Sequence, residues 1–274
     1  MIQGIINYTF MQNAFMAALL SSIICGVIGT IIVEKKLVSM SGGIAHSSFG
    51  GIGLGYLLNI PPILTGMLFA VVASLSLPVI KRKTKTNADT LIGVFWASGM
   101  ALGILFIGLT PGYPPDMNSY LFGDILTVSS LYLTFMAILS AVTLVVVVGM
   151  FNFWKVYLFD EMHLSVLNIK TKLFETILYV LIALSIVLLI KVVGMILAIA
   201  MLTIPPAIGK FFTKKLSVLM ISATVIGMVI SVLGLVLSYY FNIPSGATII
   251  LLAVVFYIIA YVVHARSAKR LLRK

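Results

Sequence analysis

The stretch SVLMISATVIGMVISVLGLVLSYYF, residues 217–241, contains neither a charged side chain nor a proline. About 20 apolar residues in a helix rising 1.5 Å per residue cross the ~30 Å hydrocarbon core of a bilayer. The run is apolar on every side and shows no strict alternation. That makes it a lipid-embedded helix, because away from water only helices and closed barrels satisfy every backbone group. Eight more apolar runs lie at 10–33, 43–58, 62–80, 89–109, 128–150, 173–190, 192–209 and 246–264. Two are weaker. Run 43–58 is short and rich in glycine, and 192–209 ends near Pro205-Pro206. The expected fold class is all-α, a polytopic helical membrane protein. It has nine transmembrane helices, or eight if the weak runs are half-crossings, in one transmembrane domain over residues 1–274.

Composition excludes the alternatives. Hydrophobic residues make up 61% and charged residues 9%, whereas a soluble domain has about 45–50% and about 25%. A lone cysteine, Cys25, excludes a disulfide and a multi-cysteine metal site. The net charge of +11 raises the question of nucleic acid, and the positions of the charges answer it. With the N-terminus outside, seventeen of the eighteen Lys and Arg fall on the inner side, and only Lys191 lies outside. The positive-inside rule therefore predicts a multi-pass protein of the cytoplasmic membrane, N-terminus out and C-terminus in. The bilayer is the partner of this basic face, and nucleic acid is not expected. Turn formers mark the outer loops: Asn59-Ile60-Pro61-Pro62, Thr110 to Asn118, and Asn242-Ile243-Pro244.

Enzymatic motifs are missing. No G-x-x-x-x-G-K-[ST] loop is present to hold ATP, and no H-E-x-x-H to hold zinc. Gly123-Asp124 is similar to the Gly-Asp pair of intramembrane aspartyl proteases, but no convincing second intramembrane Asp accompanies it. Gly51, Gly53 and Gly55 lie inside an apolar run rather than between strand and helix, so they favour close helix packing over nucleotide binding. A transport subunit is expected rather than an enzyme.

The second run is unusual. Met40-Ser41-Gly42-Gly43-Ile44-Ala45-His46-Ser47-Ser48 places polar side chains and glycines at membrane depth. Polar groups there are costly and usually face a protein cavity. His46 is either a hydrogen-bonded structural residue or a ligand on a metal pathway. Ser41, Gly42, Gly43, Ser47 and Ser48 are the expected pathway lining. Asp116 and Asp124, in and just after an outer loop, are candidates for an outer vestibule that attracts cations, with solvation and helix capping as their plainer readings. Glu34, Asp89 and Glu175 border the inner loops, where capping or pairing with Lys is expected.

Three blocks resemble the membrane permease subunit of the metal-type ABC importers, which take up zinc, manganese or iron. They are Lys36-Leu37-Val38-Ser39-Met40 through His46 to Tyr56; Asp89-Thr90-Leu91-Ile92-Gly93 with Ser119 to Leu126; and Val193-Gly194-Met195 to Ala207 with Gly234 to Tyr239 and Pro244 to Thr248. The resemblance covers nearly the whole chain in the right order. It implies the ABC importer permease fold, a homodimer with the pathway at its centre, a separate ATP-binding subunit, and an extracytoplasmic metal-binding protein. It implies a transported divalent metal, no cofactor bound by this chain, and ATP on the partner subunit. The family pairs an intramembrane Asp with a His four residues later. His46 matches that His, but Gly42 stands at the Asp position.

The resemblance further implies a cytoplasmic surface that couples to the ATPase. The segment Pro205, Pro206, Ala207, Ile208, Gly209, Lys210, Phe211 and Phe212 is the candidate, with Asp160, Glu161 and His163 as a lesser one. The expected mechanism is alternating access driven by the partner's ATP. The competing reading is an ATPase-independent secondary transporter or channel for a cation, which would call for intramembrane carboxylates and broken helices in related halves.

Overall fold

The computed structural model describes residues 8–84, 87–112, 121, 123, 125–159 and 171–271. Among these, every regular element is helical. Helix α1 spans Thr9–Glu34, α2 Val38–Leu58, α3 Pro62–Thr84 and α4 Ala88–Gly108. A 3-10 turn at Ile125–Thr127 precedes α5, Ser130–Gly149, and the short α6, Phe151–Phe159. Then come α7 Thr171–Val193, α8 Met195–Phe212, α9 Leu216–Phe241 and α10 Ser245–Leu271.

Eight of these helices are long and apolar enough to cross a membrane. The exception among the long ones is α2, whose glycines and serines dilute its apolarity. At 21 residues it nonetheless reaches about 31 Å, a membrane's thickness. It begins five residues before the apolar run expected from sequence, because its first turn is polar. Protein surrounds it, so it needs no lipid-compatible surface: residues from Met40 to Gly53 are buried except His46, which is half-buried.

The proline pair does not end α8. The helix runs on through Pro205 and Pro206 to Phe212. Neither proline has an N–H, so the carbonyls of Met201 and Leu202 lose their helical donors. Neighbouring helices make such interruptions tolerable in membrane proteins. Here α1 approaches closely at Gly29, where a Cβ would come within 2.3 Å of the Leu202 carbonyl oxygen.

Two turns at one end of the bundle share one design. Asn59 after α2 and Asn242 after α9 both adopt the left-handed conformation, with φ of 56° and 51°. Each is followed by Ile-Pro. Asn tolerates positive φ better than other non-glycine residues, and the proline then forbids further helix. The Ile60 N–H donates to the Gly55 carbonyl and the Ile243 N–H to that of Ser238, which closes both helix ends.

Helices α1 and α7 occupy the interior, while α4, α5 and α10 lie at the periphery. On α5 a single stripe, Met136, Ser140, Thr143 and Val147, is buried. Its spacing of four, three and four is that of one helix face. Apart from Lys191 near the end of α7, the described lysines and arginines gather at the opposite end of the bundle from the Asn turns. There Lys210 of α8 pairs with Glu34 of α1 at 3.1 Å, Arg82 of α3 pairs with Glu175 of α7, and the Lys35 ammonium lies 3.7 Å above the Tyr157 ring. Glu34 and Glu175, expected from sequence to cap or to pair with Lys, therefore find basic partners.

Candidate functional site

Helix α2 is clamped between α3 and α4 by glycines. A Cβ at Gly51 would lie 2.4 Å from the Thr65 carbonyl of α3, and one at Gly55 2.4 Å from the Thr65 hydroxyl. On the other side a Cβ at Gly99 of α4 would lie 2.4 Å from Ser47 Cα, and one at Gly53 would lie 2.6 Å from the Gly103 carbonyl. Small residues four apart let backbones touch, which is how helices associate where lipid competes with apolar packing.

Close packing fixes the orientation of the polar side chains. The Ser41 hydroxyl donates to the Val38 carbonyl at 2.8 Å and the Ser48 hydroxyl to that of Ala45 at 2.6 Å. Ser47 donates to Gly43 at 2.8 Å and reaches the Phe95 carbonyl of α4 at 3.1 Å. All three serines are at most 5% exposed. Their hydroxyl protons satisfy backbone carbonyls, and the Ser47 hydroxyl also ties α2 to α4. Gly43 faces the Ile92 side chain of α4. Of the six residues expected to line a pathway or hold a metal, Gly42 and His46 stand apart.

His46 stacks on Trp96 of α4, with ring centroids 3.9 Å apart and planes 9° from parallel. Trp96 is 46% exposed. The buried Nδ1 of His46 has no hydrogen-bond partner among the described residues. One turn earlier on the same face, a Cβ at Gly42 would meet nothing within 4 Å. The helix thus carries an imidazole with an unengaged, buried Nδ1 one turn from a glycine whose Cβ position is unfilled. Buried polar atoms are nearly always partnered. The hydroxyls of Ser140, Thr143 and Ser185 also lack a partner among the described residues, and His46 is the one of the four whose side chain is an imidazole able to ligate a metal. Among the described residues no three His, Cys, Asp or Glu side chains come together. The reading of His46 as a hydrogen-bonded structural residue has no support from its Nδ1.

Trp96 was not singled out from sequence. The only signal available was its rarity, as one of two tryptophans in the chain. It lies on a face of α4 that carries Gly93, Ala97 and Ala101 at four-residue spacing, all exposed. Beyond the first turn of α2, at the lysine-rich end, a cavity of about 540 Å³ is bordered by Ser39, Met40, Lys36, Lys81, Asp89 and the Arg82–Glu175 pair.

Two distant sequence blocks do meet. Gly123, with φ of 63°, packs against the break between α7 and α8 at Gly194, with φ of 88°. A Cβ at Gly123 would lie 2.3 Å from the Gly194 nitrogen. Asp116 and Asp124 lie outside the described residues, as do Asp160, Glu161 and His163. The Pro205–Phe212 segment forms the last turns of α8 rather than a separate short helix. Pro205, Pro206, Ile208 and Gly209 are buried, and Phe211 packs against Tyr257, Tyr261 and His264 of α10. Lys210 and Phe212 are its exposed side chains.

The chain is similar to known proteins along almost all of its length. The ABC 3 transport family matches residues 7–264. An uncharacterized membrane protein of Synechocystis sp. is 42% identical over 95% of this chain and 92% of its own length. The manganese transport system membrane protein MntC of Listeria monocytogenes is 29% identical over 95% of this chain and 92% of its own. Among solved structures, PsaBC from Streptococcus pneumoniae in complex with Fab superposes with a TM-score of 0.86 at 29% identity, covering 95% of this chain and 94% of that one. From Asn7 to His264, the chain belongs to the ABC 3 transport family.

Proposed function

We propose that this protein is the permease subunit of an ABC importer that carries a divalent metal ion across the cytoplasmic membrane by alternating access. The observation that carries the proposal is His46, whose buried Nδ1 has no partner among the described residues, one helical turn from Gly42, where a Cβ would meet nothing within 4 Å. Family membership and the manganese transport name of the Listeria relative support the metal cargo.

One chain supplies one imidazole, so the pathway is completed by a second copy. The stripe Gly93, Ala97 and Ala101 beside Trp96 is the face on which that copy sits, because small residues allow close approach. An extracytoplasmic binding protein delivers the metal at the Asn-turn end. A separate ATP-binding subunit docks at the lysine-rich end, and ATP hydrolysis belongs to it. Lys210 and Phe212 are the part of the Pro205–Phe212 segment that meets this subunit, together with the loop containing Asp160, Glu161 and His163. The N-terminus is outside, in keeping with the charge count.

Gly42 narrows the cargo. A carboxylate suits manganese, whereas imidazole suits zinc and iron. With glycine in place of the family Asp, the site keeps its nitrogen donor and loses its hard oxygen donor. We therefore place zinc or iron(II) ahead of manganese. The test is uptake of each metal by the purified permease, ATPase and binding protein in proteoliposomes. Uptake that requires ATP and falls at least tenfold in His46→Ala supports the proposal. Uptake unchanged by that substitution would remove His46 from the pathway, and uptake without the ATPase would favour a secondary transporter.

A further inference from the structure

An apolar groove of about 500 Å³ runs along the outside of the bundle between α1, α5 and α9. Ile23 and Val27 of α1 line one side; of the residues from α5 and α9, Val147 and Met220 are buried, whereas Val148 and Ile221 are exposed at its edge. The Thr224 hydroxyl within it donates to the Met220 carbonyl at 2.9 Å, so its proton is already engaged. From Ser217 to Met228 the groove follows α9 for about 17 Å at 1.5 Å per residue. That is about half of the ~30 Å hydrocarbon core, the depth of one leaflet.

The ends of the groove differ. The Met228 end lies among apolar side chains in the middle of α9. The Ser217 end opens where Lys214 and Lys215 precede α9 and where α6 starts at Phe151 and carries Lys155. All three lysines are exposed. A concave apolar slot one leaflet deep, with cations at its mouth, has the shape and charge of a lipid: acyl chain inside, anionic headgroup on the lysines. Lipid tails are as apolar as the groove itself, so preference for this lipid over its neighbours comes from the headgroup, and basic sites beside transmembrane helices favour anionic ones.

We infer that the α1–α5–α9 groove is a binding site for one anionic glycerophospholipid, held through Lys214, Lys215 and Lys155. The test is native mass spectrometry of the full chain in detergent, mixed with equal amounts of phosphatidylglycerol and phosphatidylcholine bearing identical acyl chains. One phosphatidylglycerol per chain is expected to survive detergent stripping, with at least a tenfold preference over phosphatidylcholine. The exposed double reversal Lys214→Glu, Lys215→Glu reduces that preference to below twofold without touching the core. Ile221→Trp, which covers the slot from its exposed edge, removes retention of both lipids. Equal retention of the two lipids by the unaltered chain, or a preference that survives the double reversal, would overturn the inference. So would displacement of the lipid by free glycerol phosphate, or spontaneous disulfide pairing of two copies through Met228→Cys in the lipid's absence.

Discussion

Helices α2 and α9 both cross the membrane's thickness, yet they solve opposite problems. Helix α9 turns large side chains such as Ile221, Val225 and Val229 outward and keeps its buried face for Ala223, Gly227 and Ile230. Lipid accepts its surface, so its sequence can vary wherever it stays apolar. Helix α2 buries nearly everything and seals against α3 and α4 through glycines. It tolerates serines and a histidine at membrane depth because protein, not lipid, surrounds them. Apolarity holds the one in place, and close backbone contact holds the other. Only the second arrangement can keep a polar site in the bilayer.

This difference can be broken. Gly99→Leu forces a Cβ to within 2.4 Å of Ser47 Cα, and backbone cannot yield as a flexible side chain would. We expect a loss of about 3 kcal/mol or more, read as a collapse in the yield of monodisperse protein. The same leucine at Val225 of α9, which is 52% exposed, should change stability by less than about 0.5 kcal/mol. Equal tolerance at both positions would dissolve the contrast.

Gly42 offers the sharper test, because it is the glycine of α2 that packs against nothing. Gly42→Asp should fold with a melting temperature within a few degrees of the parent. It should raise manganese uptake relative to zinc by about tenfold, since it places a carboxylate one turn from His46. A smaller effect is expected at the lysine-rich end. The Arg82–Glu175 pair is partly exposed, and such pairs contribute below about 1 kcal/mol. Glu175→Gln should therefore lower thermal stability by only a degree or two, and more so at low ionic strength.

Most of the fold was legible in the sequence because lipid imposes one simple rule. Runs without charge had to be helices, and the apolar runs at 10–33, 62–80, 89–109 and 217–241 match observed helices to within four residues. The rule weakens where protein replaces lipid. The start of α2 was placed late because polar residues are admissible inside a helix that no lipid touches. The run expected at 192–209 ends within three residues of α8, which passes through Pro205-Pro206 to Phe212. The candidate site was legible in part. His46 and Gly42 stood out by chemical type and by family resemblance. Their separation from Ser41, Ser47 and Ser48 was not visible, since hydroxyls that serve their own helix look the same in sequence as hydroxyls that face a pathway. Trp96 was invisible because its role comes from a stacking contact between residues 50 positions apart.

The most direct measurement of the central claim is ATP-driven zinc uptake by the reconstituted complex, comparing the parent with His46→Ala and with Trp96→Phe. If His46 is a cargo ligand, His46→Ala falls at least tenfold while the stability of the complex and its basal ATP hydrolysis are kept. Trp96→Phe preserves an aromatic surface for the imidazole and retains most of the uptake. Undiminished zinc transport in a well-folded His46→Ala complex would contradict the account.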